Sequence, residues 1–328
     1  MAAQMNRREF TKRSLLMTAG GALALGGAMS ARAEDKPTAA LTGGEAAAPI
    51  CPQGKIGNLQ LSRLIMGSNL ITYYVHGRDL SFVNNLTRHY NTEEKILETL
   101  AIAESNGINT IMTQDDPRYF GILKKHRNER GGKLQWIVAP RITAENMTEF
   151  KQKVRQLATE GVDAMYIHGA QADPLAAERK RDVFAEVLAE IKLQDIPAGV
   201  GGHDLNVVKF CEQNGIEADF YVKTFHHHDY PTAPKPEELK GAIEEIPGYW
   251  CKNPVETAEF MKGVKKPWIA FKVMAAGAIP PGSAFRYSFK NGADFILAGM
   301  FDFEIADDVR IACRTFAAAA KRDRPWYG

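Results

Sequence analysis

The sequence predicts an α/β fold of the (β/α)8 barrel class, with an N-terminal β-hairpin and a long loop insertion after the sixth strand. Three observations predict it. Eight short apolar runs, rich in β-formers, recur between residues 63 and 298. Amphipathic stretches separate them, long enough for the crossovers that parallel strands require. Glycines fall at the joints, where a helix ending in a left-handed residue hands over to the next strand.

Residues 55–61, Lys-Ile-Gly-Asn-Leu-Gln-Leu, read as a hairpin turning on Gly57-Asn58. Such a hairpin can plug the bottom of a barrel. The strands follow at 63–67, 108–112, 134–139, 162–167, 196–200, 218–222, 267–273 and 293–298. Helical stretches lie at 92–106, 117–128, 145–160, 175–193, 204–214, 254–263, 281–290 and 304–321. Asn91-Thr92-Glu93-Glu94 fits an N-cap with an acid three residues on, and Asn106-Gly107 ends the same helix. Gly161, Gly215 and Gly292 occupy the helix-to-strand joints. The strands are apolar on both faces, as when one face fills a barrel and the other meets helices. Residues 226–253 separate the sixth strand from its helix and form a loop on the face where strands end.

The first 33 residues read as an export signal. Arg7-Arg8-Glu9-Phe10-Thr11-Lys12 precedes a Gly/Ala-rich apolar run that closes on Ala31-Arg32-Ala33, and this layout resembles a twin-arginine signal. The expectation is a periplasmic or secreted protein, exported folded by the twin-arginine machinery. Residues 34–53 read as a flexible leader and 54–328 as the barrel. Without the signal, the formal charge moves from +2 to about −2, which gives no electrostatic footprint for nucleic acid. No later segment is apolar enough to span a membrane. The four cysteines (Cys51, Cys211, Cys251, Cys313) show no C-x-x-C spacing, and folding before export favours free thiols.

Five segments stand out in order along the chain: the hairpin with Leu61-Ser62-Arg63-Leu64-Ile65-Met66-Gly67, Gly107-Ile108-Asn109-Thr110-Ile111, Val162 to Gly169 with His168 at its strand end, Pro197 to His203 and Ala270 to Ala278. Together they resemble the aldo-keto reductase superfamily over nearly the whole mature chain, the last two matching its fifth-strand and seventh-strand motifs. The resemblance implies hydride transfer from NADPH to a small polar carbonyl or sugar. A tyrosine would be the general acid, a lysine oriented by an aspartate would lower its pKa, and a histidine would position the carbonyl. Carried over by position, the tyrosine is Tyr119, the lysine is replaced by Arg141, the aspartate by Met112, and the histidine is His168. Asn69, Gly299 and Met300 fall where the NADP or NAD cofactor would lie. The stretch 299–304 lacks the Ser/Arg pattern with which the family holds a 2′-phosphate.

The strand ends are polar in their own right, and barrel chemistry sits there. His203, the run His226-His227-His228, Asp115 and Asp116, Lys223 and Lys272 all follow or end strands, with His76 in the first loop. His203, His226 and His228 with Asp115 are candidate ligands for Zn, Mn or Fe. Adjacent histidines on an extended segment diverge, so at most two of the run can share a target. Lys272, flanked by apolar residues, reads either as a buried amine of depressed pKa or as a cation paired with an acid. Three functions follow as expectations: an aldo-keto-reductase-like oxidoreductase; a metal-dependent lyase, isomerase or hydrolase on the same barrel; and a non-catalytic sugar-binding barrel.

Overall fold

The computed structural model describes residues 51–328, apart from 143–145, 242 and 245–247. The signal at 1–33, and the leader as far as residue 50, lie outside the described residues. Chain already packs onto the barrel ahead of residue 54, since Cys51 is fully buried and Gln53 opens the first strand.

Strands β1 (Gln53–Ile56) and β2 (Leu59–Ser62) pair antiparallel about Gly57-Asn58, with Gly57 left-handed at φ +59°. Eight parallel strands then close into a barrel. They are β3 (Leu64–Gly67), β4 (Thr110–Gln114), β5 (Gln135–Ala139), β6 (Ala164–Ile167), β7 (Ala198–Gly202), β8 (Phe220–Thr224), β9 (Trp268–Phe271) and β10 (Phe295–Ala298). β10 closes on β3 with Leu297 opposite Ile65.

Ten α-helices lie among the described residues. They are α1 (Ser81–Tyr90), α2 (Glu93–Ser105), α3 (Pro117–Arg130), α4 (Met147–Thr159), α5 (Gly169–Ala177), α6 (Arg181–Lys192), α7 (Leu205–Gln213), α8 (Pro254–Lys262), α9 (Pro281–Lys290) and α10 (Ile305–Ala318).

Several elements depart from the sequence pattern. α1 occupies the first βα loop, where no helix is expected. The stretch 175–193 is two helices, broken where Arg179 turns to φ +57°. Several strands begin about two residues later than predicted, because Ile108 and Ala218 bury in the outer core from the loops that enter them. The cap of α2 is Thr92, whose side chain accepts the Lys95 N–H, one residue beyond Asn91.

Alternate strand residues sort into two cores, as the pleat requires. Ile65, Met112, Ile137, Ala164, Tyr166, Phe220, Val222, Ile269 and Phe295 fill the barrel, and Ile56 and Leu61 join them from the hairpin. The hairpin therefore plugs the lower end. Leu64, Ile111, Trp136, Met165, Val200, Tyr221 and Trp268 face outward into the larger core beneath the helices. Space inside is tight: a Cβ on Gly201 would stand 2.8 Å from the Ile167 carbonyl oxygen and 3.3 Å from the Tyr166 ring.

The lower end is locked by charge. Asp294, fully buried, accepts from Arg322 at 2.6 Å, from Arg324 at 2.7 Å and from the backbone N–H of Trp268 at 2.9 Å. All four cysteines are free thiols.

Candidate active site

The upper mouth of the barrel carries the chemistry. On β6 and β7 the inward register runs through Tyr166 and Gly201 and reaches His168 and His203 just past the strand ends. Their rings meet edge-on, with centroids 6.2 Å apart. His203 packs so closely on the start of α5 that a Cβ at Gly169 would lie 2.9 Å from its ring.

The two imidazoles are held in opposite tautomers. His203 Nδ1 lies 2.8 Å from the Asp173 carboxylate on α5, which can only accept; Nδ1 therefore carries the proton and Nε2 is the acceptor. Asp173 also accepts the backbone N–H groups of His203 at 3.0 Å and Asp204 at 3.1 Å. His168 caps α5 instead: its Nδ1 accepts the Ala170 N–H at 3.2 Å, so its proton sits on Nε2. Burial, helped by His203 and Lys272, pushes His168 down to about 4. Burial also lowers His203, against the pull of Asp173. Near neutral pH the mouth therefore presents one uncharged N–H donor and one uncharged nitrogen acceptor.

Lys272 comes to the same mouth by a strained path. It follows the inward-facing Phe271, whose ring is 5.5 Å from His203, and it takes φ +55°. Ala275 at φ +46° and Ala276 at φ +54° follow in the same left-handed region. Each costs roughly 1–2 kcal/mol for a residue with a Cβ. Lys272 Nζ lies 5.1 Å from the centre of the Trp250 ring, and His76 packs against that indole at 5.1 Å with its ring tilted by 48°. Burial, then Lys272 and His203, hold His76 down at about 4.

The histidine run does other work. His226 is buried, donates Nδ1–H to the His227 carbonyl at 2.9 Å and accepts the Trp250 and Cys251 N–H groups at 3.2 and 3.4 Å. Both nitrogens are spent on folding the long loop back beneath Trp250. His228 Nε2–H donates to the Cys251 carbonyl at 2.7 Å, and His227 reaches Ser283 at 3.0 Å. Asp115 lies 3.5 Å from Lys153. The ligand set of His203, His226, His228 and Asp115 is thus not assembled. Among the described residues no group of three such side chains stands in metal-holding geometry.

Two other expected roles are corrected by placement. Tyr119 belongs to the outer core on the first turn of α3, edge-on to Tyr73 at 6.1 Å, and burial raises its phenol. A raised pKa in the outer layer is the reverse of what an acid at the mouth needs. The Met300 side chain is also buried in the outer core, so only its backbone could meet a cofactor. Met112 fills the barrel interior and brings no charge. Arg141 is exposed just past β5, while Asn69 and Gly299 are half-buried at the neighbouring ends of β3 and β10.

Lys223, fully buried, faces outward from β8 and donates to the Thr224 carbonyl and hydroxyl at 2.9 and 2.8 Å; burial lowers its pKa. Sequence reading passes over Asp173, because Asp-Pro resembles a turn and its partner lies thirty residues on. It also passes over Trp250, whose place depends on how the long loop folds. A cleft of about 860 Å³ lies between the loop at His227–Asp229 and α8, with Tyr287 in its wall.

No family model matches the chain, and no curated protein does. Solved structures match over most of its length. A Pseudomonas aeruginosa protein described as an aldo-keto reductase is 16% identical, with a TM-score of 0.54 over 80% of this chain and 95% of its own. An aldo-keto reductase of Bacillus halodurans in its holo form is 12% identical, with a TM-score of 0.52 over 84% and 97%. Gox0644 in its apo form gives 10%, 0.52, 84% and 97%. At these identities the likeness shows the fold alone, a (β/α)8 barrel.

Proposed function

We propose that the chain is an aldo-keto-reductase-like oxidoreductase whose proton is carried by His203, oriented by Asp173, and not by a tyrosine. The substrate is a small polar carbonyl compound or sugar. One observation carries the reading: a donor, His168 Nε2–H, and an acceptor, His203 Nε2, stand in fixed and opposite tautomers at one barrel mouth. His168 donates a hydrogen bond to the substrate oxygen. In alcohol oxidation His203 Nε2 takes the hydroxyl proton as hydride leaves the same carbon, and Asp173 steadies the imidazolium that forms; in carbonyl reduction that imidazolium returns the proton to the oxygen.

The residues past β10 do not suit a 2′-phosphate. Asp302 pairs with Lys95 at 3.2 Å, and Asp307 and Asp308 put acids on the first turn of α10, where a helix end would otherwise favour an anion. Within this reading NAD and not NADP is the carrier, held near Asn69 and Gly299. When bound, its oxidised form would accept the hydride from an alcohol and its reduced form would supply it to a carbonyl.

Fluorescence titration with NAD and NADP, paired with turnover of a panel of aldehydes and keto sugars, tests the proposal. Saturable NAD binding, weak or no NADP binding, and loss of turnover in His203→Asn are the expected results. Binding of neither dinucleotide would remove the oxidoreductase reading. The donor–acceptor pair would then support proton transfer alone, as in an isomerase or lyase. We also propose, from Arg7-Arg8 and Ala31-Arg32-Ala33, that the reaction runs outside the cytoplasm. Fractionation of cells expressing the full chain, with and without Arg7→Lys/Arg8→Lys, tests that part.

A further inference from the structure

Resting on the reading above, we infer that Tyr166 is a further catalytic residue of this mouth. Its phenol O–H joins His168 Nε2–H in donating to the substrate oxygen with which His203 exchanges a proton. The two donors form a pocket for the negative charge that gathers on that oxygen.

The packing argues this first. Tyr166 faces into the barrel from β6, two residues before His168, and its ring centre stands 6.3 Å from that of the imidazole. Its register partner on β7 is Gly199, where Phe220 takes the space. A Cβ on Gly201, two residues nearer the mouth, would meet Tyr166 Cε2 at 3.3 Å. The ring therefore leans up the barrel over a glycine that leaves room for it, leading with the edge that carries its hydroxyl. His203 stands two residues beyond that glycine.

The hydroxyl argues it second. Tyr166 is only 6% exposed, and among the described residues nothing hydrogen-bonds its phenol. Buried hydroxyl groups are ordinarily paired, and one left unpaired carries a desolvation penalty. Phenylalanine would fill the same space without it. A ligand oxygen at the mouth supplies the missing partner, and the ring spacing lets one oxygen reach both the hydroxyl and His168 Nε2. Burial alone acts on the phenol and raises its pKa, so Tyr166 keeps its proton and leaves proton exchange to His203. Two neutral donors aimed at one oxygen favour it more as a developing alkoxide than as a carbonyl, and that difference lowers the barrier.

Tyr166→Phe in the whole protein tests the inference. Its Tm should equal or exceed the native one, since no internal hydrogen bond is lost. On the carbonyl substrates of the panel, kcat should fall about 10²–10³-fold with KM changed far less. Carbon NMR of protein labelled at tyrosine Cζ, with dihydroxyacetone and D-xylose added in turn, reads the same contact without a nicotinamide. The Cζ resonance that is missing from Tyr166→Phe should shift on saturation with at least one of the two probes. Native kcat in Tyr166→Phe, a Tm that falls together with kcat, or a Tyr166 resonance unmoved by both probes would overturn the inference. His203→Asn separates the two readings: it should abolish turnover and leave the Tyr166 shift in place. If neither dinucleotide binds, the oxidoreductase reading falls, and the shift alone decides whether Tyr166 meets the ligand.

Discussion

Asp173 Oδ2 lies 2.8 Å from Nδ1 of His203, and the same carboxylate holds the two backbone N–H groups that begin the turn after β7. One side chain on α5 thereby fixes the position, the ring orientation and the tautomer of a residue on another strand. Asp173→Asn keeps the shape but can present an N–H to Nδ1 and favour the wrong tautomer. A fall in kcat of about 10²–10⁴-fold with little change in KM is expected, by the logic of an oriented histidine. Asp173 raises the His203 pKa, so its loss should also move the acid limb of the pH–rate profile to lower pH. A variant with an unmoved acid limb and unchanged kcat would exclude the role.

Tyr119 tests the same assignment from the other side. Its place in the outer core, with its phenol pKa raised by burial, argues against a part in proton transfer. Tyr119→Phe should therefore hold kcat within about threefold of native, under 1 kcal/mol of activation free energy. A loss of a hundredfold in kcat/KM would restore the tyrosine to the chemistry and displace His203.

Acid should loosen the long loop first. The His226 pKa in the folded chain, about 3, lies below the unfolded value of 6.5, chiefly through burial. Its contribution to stability is therefore whole above pH 6.5 and is lost as the pH falls toward 3. By pH 4 the loss from this one group is on the order of 3 kcal/mol. Thermal melts between pH 7.5 and 4 should show a falling Tm, and His226→Gln, which cannot titrate, should flatten that slope although it starts lower. Parallel slopes for the two proteins would show that His226 is not the sensor.

The barrel was legible because its signals are local. Strand runs, the Gly57-Asn58 turn and the left-handed glycines at 161, 215 and 292 each depend on a few neighbouring residues. His168 was legible for the same reason, as a histidine at a strand end. The partnership of Asp173 with His203 was not, because it joins two βα units. The histidine run looked like a ligand cluster because sequence cannot say that His226 spends both nitrogens on Trp250, Cys251 and its own neighbour. The break at Arg179 sits among good helix formers and carries no Gly or Pro to announce it.

The lower end of the barrel makes the largest stability prediction. Arg324 is almost wholly buried, and it donates to Asp294 at 2.7 Å and to the carbonyls of Met261, Gly292, Val264 and Lys266 at 2.7–2.9 Å. These acceptors belong to the end of α8 and the chain entering β9 and β10, so one guanidinium ties three segments together. Arg324→Ala removes every tie at once and leaves the Asp294 carboxylate one of its two ion pairs, that with Arg322, so a loss of about 3–5 kcal/mol in urea unfolding is expected. Arg324→Lys should recover little of it, because an ammonium cannot reproduce the planar fork that meets five acceptors. A loss below about 1 kcal/mol for the alanine variant would mean that water replaces the guanidinium and that the hairpin plug alone closes this end.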